Sequence, residues 1–257
     1  MIGMTMRAKI LKIIISAMLF VGSAHSARAE EFNKAQRQEM ESIIKSYLLS
    51  HPEIVREMNQ KLEENDKIAE EAQRKGALTA GAEEIFHGKG DYVAGNAKGK
   101  LTMVEFFDYN CGWCKKGFPE VYSLMDEDKD LKVVLKEFPI FGEDSEYAAR
   151  AALAANKQGK YWPLHIAMFS YEGKITKSVV DQLVTTQGLD LAKLKADMFA
   201  PAITDTLLRT RALAQTLAIN GTPAFIIDDK LVPGYLPRNE LAATIAEVRA
   251  KGGCTLC

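Results

Sequence analysis

Apolar residues recur at helical spacing near the start of the chain. Met40, Ile43, Ile44, Tyr47 and Leu48 fall at i, i+3, i+4, i+7 and i+8, and Ile54, Val55, Met58 and Leu62 continue a similar stripe. The pattern predicts helix over 33–75 with one break, because Ser50-His51-Pro52-Glu53 reads as a capping box with proline in the first turn. From Glu63 to Lys75 the residues are mostly charged, which predicts a solvated helical linker ending at Gly76. Gly88, Gly90, Gly95 and Gly99 then predict a loop-rich entry into the main domain. At Leu101 the period changes. Leu101 to Phe107 and Leu131 to Phe138 are strand candidates, and Cys114 to Met125 between them suits a helix bent at Pro119. Residues 144–217 read as almost wholly helical, Ala224 to Ile227 and Lys230 to Val232 as a hairpin across Asp228-Asp229, and Pro237 to Ala250 as a closing helix. The plan is α/β with a helical insertion, preceded by a helical stalk.

Two features outside that pattern set the compartment and exclude some partners. Arg7, Lys9 and Lys12, the apolar run Ile13 to Val21, and Ala27-Arg28-Ala29 have the layout of a signal peptide, so export with cleavage after residue 29 is expected. The apolar run is shorter than the roughly 20 residues of a membrane span. Without residues 1–29, the chain keeps 29 basic and 34 acidic residues, a net charge of −5. That balance argues against a nucleic-acid partner. The remaining 228 residues suffice for one sizeable core plus an appendage.

All four cysteines lie beyond the signal segment, as two C-x-x-C pairs, Cys111/Cys114 and Cys254/Cys257. In an exported chain such pairs are expected to be disulfides or redox-active thiols. Zinc is the rival reading, weakened because the four histidines show no ligand-like spacing near either pair. Cys111 and Cys114 stand between a strand and a helix, the placement of a thioredoxin-type redox centre. At a helix N-terminus, unpaired N–H groups and the dipole stabilise a thiolate, so Cys111 is the expected exposed nucleophile. Cys114, shielded one turn in, would resolve the mixed disulfide.

The segment Val104-Glu105-Phe106-Phe107-Asp108-Tyr109-Asn110-Cys111-Gly112-Trp113-Cys114-Lys115-Lys116 resembles the active-site segment of the DsbA family. Together with Lys136-Glu137-Phe138-Pro139-Ile140-Phe141-Gly142 and Gly221-Thr222-Pro223-Ala224-Phe225, it is most similar to the branch named for the suppressor of copper sensitivity protein C. The resemblance spans about residues 32–251 and includes Tyr47 to Ile54 of the leading helix. It implies a thioredoxin-like catalytic domain over 76–251, its helical insertion at about 144–217, and a periplasmic thiol–disulfide oxidoreductase of a Gram-negative bacterium. It makes Thr222-Pro223 a cis-proline turn that faces the disulfide and binds substrate. It also makes Glu105 a buried acid, able to relay a proton to or from Cys114, with Lys136 as its partner. Cofactors are not expected. Partners would be exported proteins with cysteines and a membrane redox protein.

This sequence departs from the oxidase branch at Gly112-Trp113, where the oxidases carry a histidine, and at Thr222 before the proline. Both departures favour an isomerase or reductase over a dithiol oxidase. The tail Gly252 to Cys257 matches nothing in the family, and is open to a local disulfide, an auxiliary redox shuttle or a Cu(I) site at Cys254 and Cys257. A copper-binding protein and an oligomeric holdase are the competing classes. The apolar stripe over residues 33–62 predicts a homodimer or homotrimer, with resemblance tilting toward the trimer.

Overall fold

The computed structural model describes residues 32–257; the expected signal segment, residues 1–29, lies outside them. The described residues divide into two compact units, one ending at Asn65 and the other running from Asp66 to Cys257. In the first, helix α1 (Lys34–Ser50) begins at a true capping box, with Asn33 Oδ1 accepting from Gln36 N at 3.0 Å and Gln36 Oε1 accepting from Asn33 N at 2.9 Å. No residue of α1 is buried. The expected break falls where predicted, but Ser50 does not cap the next helix. Its hydroxyl donates back to the carbonyls of Ser46 and Tyr47, closing α1 instead.

Helix α2 (Glu53–His87) runs eleven residues past Gly76, correcting the expected end of the linker. One interior glycine costs a helix only about 1 kcal/mol. Burial of Leu78, Ile85 and Phe86, each worth roughly 1.5–3 kcal/mol, outweighs that. The end of α2 therefore belongs to the core of the second unit.

That unit is built on a five-stranded sheet of order β1-β3-β2-β4-β5, comprising β1 (Tyr92–Gly95), β2 (Leu101–Phe107), β3 (Leu131–Glu137), β4 (Ala224–Ile227) and β5 (Lys230–Pro233). β2 and β3 are parallel, and the other three pairings are antiparallel. β1 lies where glycines predicted only loop. Four residues are too few to show a period, yet Gly95, at φ 69°, is needed there, since a Cβ would come within 2.7 Å of the Leu131 carbonyl oxygen. α3 (Gly112–Glu127) connects the parallel strands with Pro119 inside it. The insertion comprises α4 (Glu143–Asn156), α5 (Tyr161–Ser170), α6 (Lys177–Thr186), α7 (Leu191–Asp197) and α8 (Pro201–Thr216), and α9 (Arg238–Ala250) follows the hairpin.

Both faces of the sheet are covered, so β2 is buried at every position rather than at alternate ones. Met103, Phe107, Val133 and Leu135 join one core cluster with Cys111, Cys114 and the insertion. Val104, Phe106, Val134 and Phe138 join the other, with Leu78, Ile85 and Phe86 of α2. Among the described residues no helix is long and apolar enough to cross a membrane.

Candidate active site

β2 ends at Phe107, and three residues turn the chain into α3. Asp108 fixes that turn: its carboxylate accepts from Asn110 N at 2.7 Å and from Ile140 N and Phe141 N at 2.8 and 3.2 Å. Asn110 ties the same turn to the insertion, donating to Ser145 Oγ and the Ile175 carbonyl and accepting from Ile175 N. Cys111 is thereby placed at the N-cap of α3, where its sulfur accepts from Cys114 N at 3.2 Å. From the other side, the Cys111 thiol donates to the Thr222 carbonyl at 3.2 Å. The Thr222-Pro223 bond is cis, so the structure brings Cys111, Cys114, Thr222 and Pro223 together.

This setting separates the two thiols. Cys111 is lowered from 9.0 to about 6, chiefly by the hydrogen bond from the Cys114 thiol, against burial and with help from Thr222 and the N–H groups of Cys114 and Trp113. Cys114 is pushed far up, first by burial and then by the neighbouring Cys111 sulfur. Cys111 is thus the thiolate and Cys114 the proton-bearing partner. The expectation of an exposed Cys111 needs correction: only 2% of its surface is accessible, because Thr222 covers it. Gly112 and Trp113 are the exposed members of the motif. Trp113, 57% accessible, lies 5.6 Å from the Tyr235 ring, with Lys116 Nζ within 5 Å of both ring centres.

Glu105 is buried on the Cys111 side of the sheet, and burial, reinforced by the Cys111 charge, pushes its carboxyl up to about 8. The expected pairing with Lys136 does not occur. In the parallel register Glu105 is opposite Leu135, and Lys136 is opposite Phe106, so the two side chains leave opposite faces. Lys136, fully buried, instead pairs with Asp91 at 2.5 Å and donates to the Glu84 carbonyl. Lys136→Met should accordingly cost about 3–5 kcal/mol by stranding the Asp91 charge, as read by chemical denaturation, while leaving the pH dependence of exchange in place.

Residues 102–246 match the DSBA-like thioredoxin domain. The chain belongs to that family. Residues 36–69 match the copper resistance protein ScsC N-terminal domain. A thioredoxin-like oxidoreductase from Silicibacter pomeroyi DSS-3 is 42% identical, with a TM-score of 0.64, over 65% of this chain and 97% of that one. Proteus mirabilis ScsC in a transitional conformation is 27% identical, with a TM-score of 0.63, over 86% of this chain and all of that one. Disulfide bond formation protein D of Bacillus subtilis is 27% identical over 64% of this chain and 79% of its own length. A Na(+)/H(+) antiporter NhaA from Herminiimonas arsenicoxydans is 26% identical over 62% of this chain. The chain spans about a quarter of the length of the antiporters it matches.

The DsbA-like domain also holds a buried polar cluster that the motifs did not reveal. Tyr109 and Tyr161 both donate to Glu137 Oε1, at 2.9 and 2.7 Å, and Tyr109 Oη lies 2.9 Å from His165 Nδ1. Burial pushes the Glu137 carboxyl well up and lowers His165 to about 3, which leaves the imidazole uncharged at neutral pH. The one signal in sequence was an acid, Glu137, beside Lys136 at the end of a largely apolar strand.

The raised carboxyl of Glu105 gives a signed prediction. Its folded value lies above the ordinary 4.5, so its contribution to stability is fully present below about pH 4.5 and lost as pH rises to about 8. Glu105→Gln should therefore gain stability relative to the parent across that window, by on the order of 2–4 kcal/mol at pH 8. It should also remove the limb near pH 8 from the exchange rate, because an amide carries no proton. Thermal unfolding and stopped-flow exchange at pH 4.5 and 8 check both; a flat stability difference and an unaltered rate profile would remove Glu105 from the mechanism.

Proposed function

We propose that the chain is a protein disulfide isomerase or reductase acting on exported proteins in the periplasm, through Cys111 and Cys114. One observation carries this reading: the Cys111 sulfur sits at the head of α3, accepting from Cys114 N and facing the Thr222 carbonyl beside the cis bond to Pro223. The thiolate attacks a client disulfide, a mixed disulfide forms, and the displaced client sulfur leaves as a thiolate. The client then re-pairs through another of its cysteines, freeing Cys111, or Cys114 gives up its proton and resolves the bond. Glu105 is the group placed to take that proton, its charge being felt at Cys114. Thr222, beside the cis bond to Pro223, offers backbone groups with which a client strand could pair.

Isomerase or reductase is favoured over dithiol oxidase by Gly112-Trp113, which lacks the thiolate-stabilising histidine of the oxidases, and by Thr222 before the proline. A copper-binding role finds less support. Cys254 and Cys257 are joined in a disulfide, and no cluster of three or more metal-binding side chains occurs among the described residues. Reactivation of a scrambled disulfide protein, with the parent and with Cys111→Ser, tests the reading. Recovery with the parent alone is expected; recovery only when an external oxidant is supplied with reduced client would make the protein an oxidase.

A further inference from the structure

The chemistry at Cys111 makes no use of the Cys254–Cys257 disulfide. The two pairs stand at opposite ends of β2. Cys257 Sγ is 3.8 Å from the Thr102 carbonyl, near the start of the strand, and Cys111 follows its far end. Five strand steps at about 3.3 Å put roughly 17 Å between those ends. Direct transfer between the pairs of one chain is therefore not what this geometry serves.

What the disulfide does close is a loop seated on a buried carboxylate. Asp228 occupies the β4–β5 turn at φ 55°. Its Oδ1 accepts from Thr255 N at 2.7 Å, Thr255 Oγ1 at 2.9 Å and Leu256 N at 2.9 Å. Leu256 and Cys257 pack against the core cluster that includes Val104 and Ile226. Both cysteines are themselves half-buried rather than sealed, so a thiolate can approach them. At the other end of the same hairpin, Gly234 N donates to the Pro223 carbonyl at 2.8 Å. One short element thus joins the tail loop to the turn that faces Cys111.

We propose that Cys254–Cys257 is a second thiol–disulfide exchange site, a latch opened by dithiols, which holds the β4–β5 hairpin and through it the Thr222-Pro223 turn. In the opening reaction a dithiol's thiolate attacks one tail sulfur, the tail S–S bond breaks, and a mixed disulfide forms. The dithiol's second thiolate then attacks that bond and departs oxidised. The tail has gained two electrons and two protons, and both cysteines are thiols. Without the closed loop, the three donors are no longer held to Asp228, and a buried acceptor that loses its partners favours an opened hairpin.

The test uses the full chain without its signal segment and with Cys111→Ser and Cys114→Ser, so that the tail is the only exchangeable pair. The native protein is treated with dithiothreitol, and separately with reduced thioredoxin as a protein dithiol. Alkylation with mass analysis and amide hydrogen exchange are then read together. Both tail cysteines should become alkylated, and exchange over residues 224–233 should rise by about ten-fold while α5 is unchanged. Cys254→Ala with Cys257→Ala should show the same fast exchange before any reductant is added. A tail that stays oxidised under conditions that reduce a Cys111–Cys114 disulfide in the parent would overturn the proposal, as would a reduced tail with hairpin exchange unaltered. Neither readout depends on whether the enzyme isomerises or oxidises its clients.

Discussion

Replacing Cys111 by serine should lower thiol–disulfide exchange by more than about a thousand-fold, since the hydroxyl of serine is almost never ionised at neutral pH. The fold should survive, because the serine hydroxyl can still accept from Cys114 N at the head of α3. Cys114→Ser should behave differently. Attack by Cys111 continues, nothing resolves the product, and mixed disulfides with clients accumulate on non-reducing gels. The parent's rate of attack should follow the thiolate fraction, level above about pH 6 and falling ten-fold per unit below it. Equal loss in both variants without trapped clients would reverse the roles given to the two thiols.

The sequence made the redox centre legible because its chemistry is local. Two thiols at i and i+3 between a strand and a helix need each other and one helix terminus, and the structure places them so. Thr222 and Pro223 were legible only through family resemblance, since a contact across 111 residues leaves no mark in spacing. Lys136 was misplaced for a related reason. Resemblance offered a pair, but in a parallel register neighbouring positions 105 and 136 leave opposite faces, and Asp91 lies on the face Lys136 takes. Asp91 was missed because a lone acid beside a glycine-rich loop gives no hint of burial. Helix α2 was cut short because Gly76 and a charged run look like an ending, whereas the packing of Ile85 and Phe86 continues the helix.

The corrected boundary changes the second large prediction. The apolar stripe on α1 is unburied, with Ile43 61% accessible and Ile44, Tyr47 and Leu48 also exposed. Left in water, such side chains each forgo roughly 1.5–3 kcal/mol, so we propose that the stripe packs on the same stripe of other protomers, as dimer or trimer. Several Cys111 sites held around one client would allow repeated attack before it escapes, which isomerisation requires. Deleting residues 32–65, rather than cutting at Gly76 into the helix that supplies Leu78 and Ile85, should leave the compact second unit folded. That form should be monomeric by light scattering, reduce small disulfides at the parent's rate, and lose at least about ten-fold in reactivating scrambled protein. A monomeric parent, or a deleted form that isomerises equally well, would remove the stalk from the function.

The proposed exchange chemistry depends most directly on Cys111 being an activated thiolate. Titrating the reduced protein while following thiolate absorbance near 240 nm should show one transition centred at about pH 6, and Cys111→Ser should lack it. A midpoint at or above the ordinary thiol range, about 8.5, would contradict the account, as would a transition that persists in Cys111→Ser.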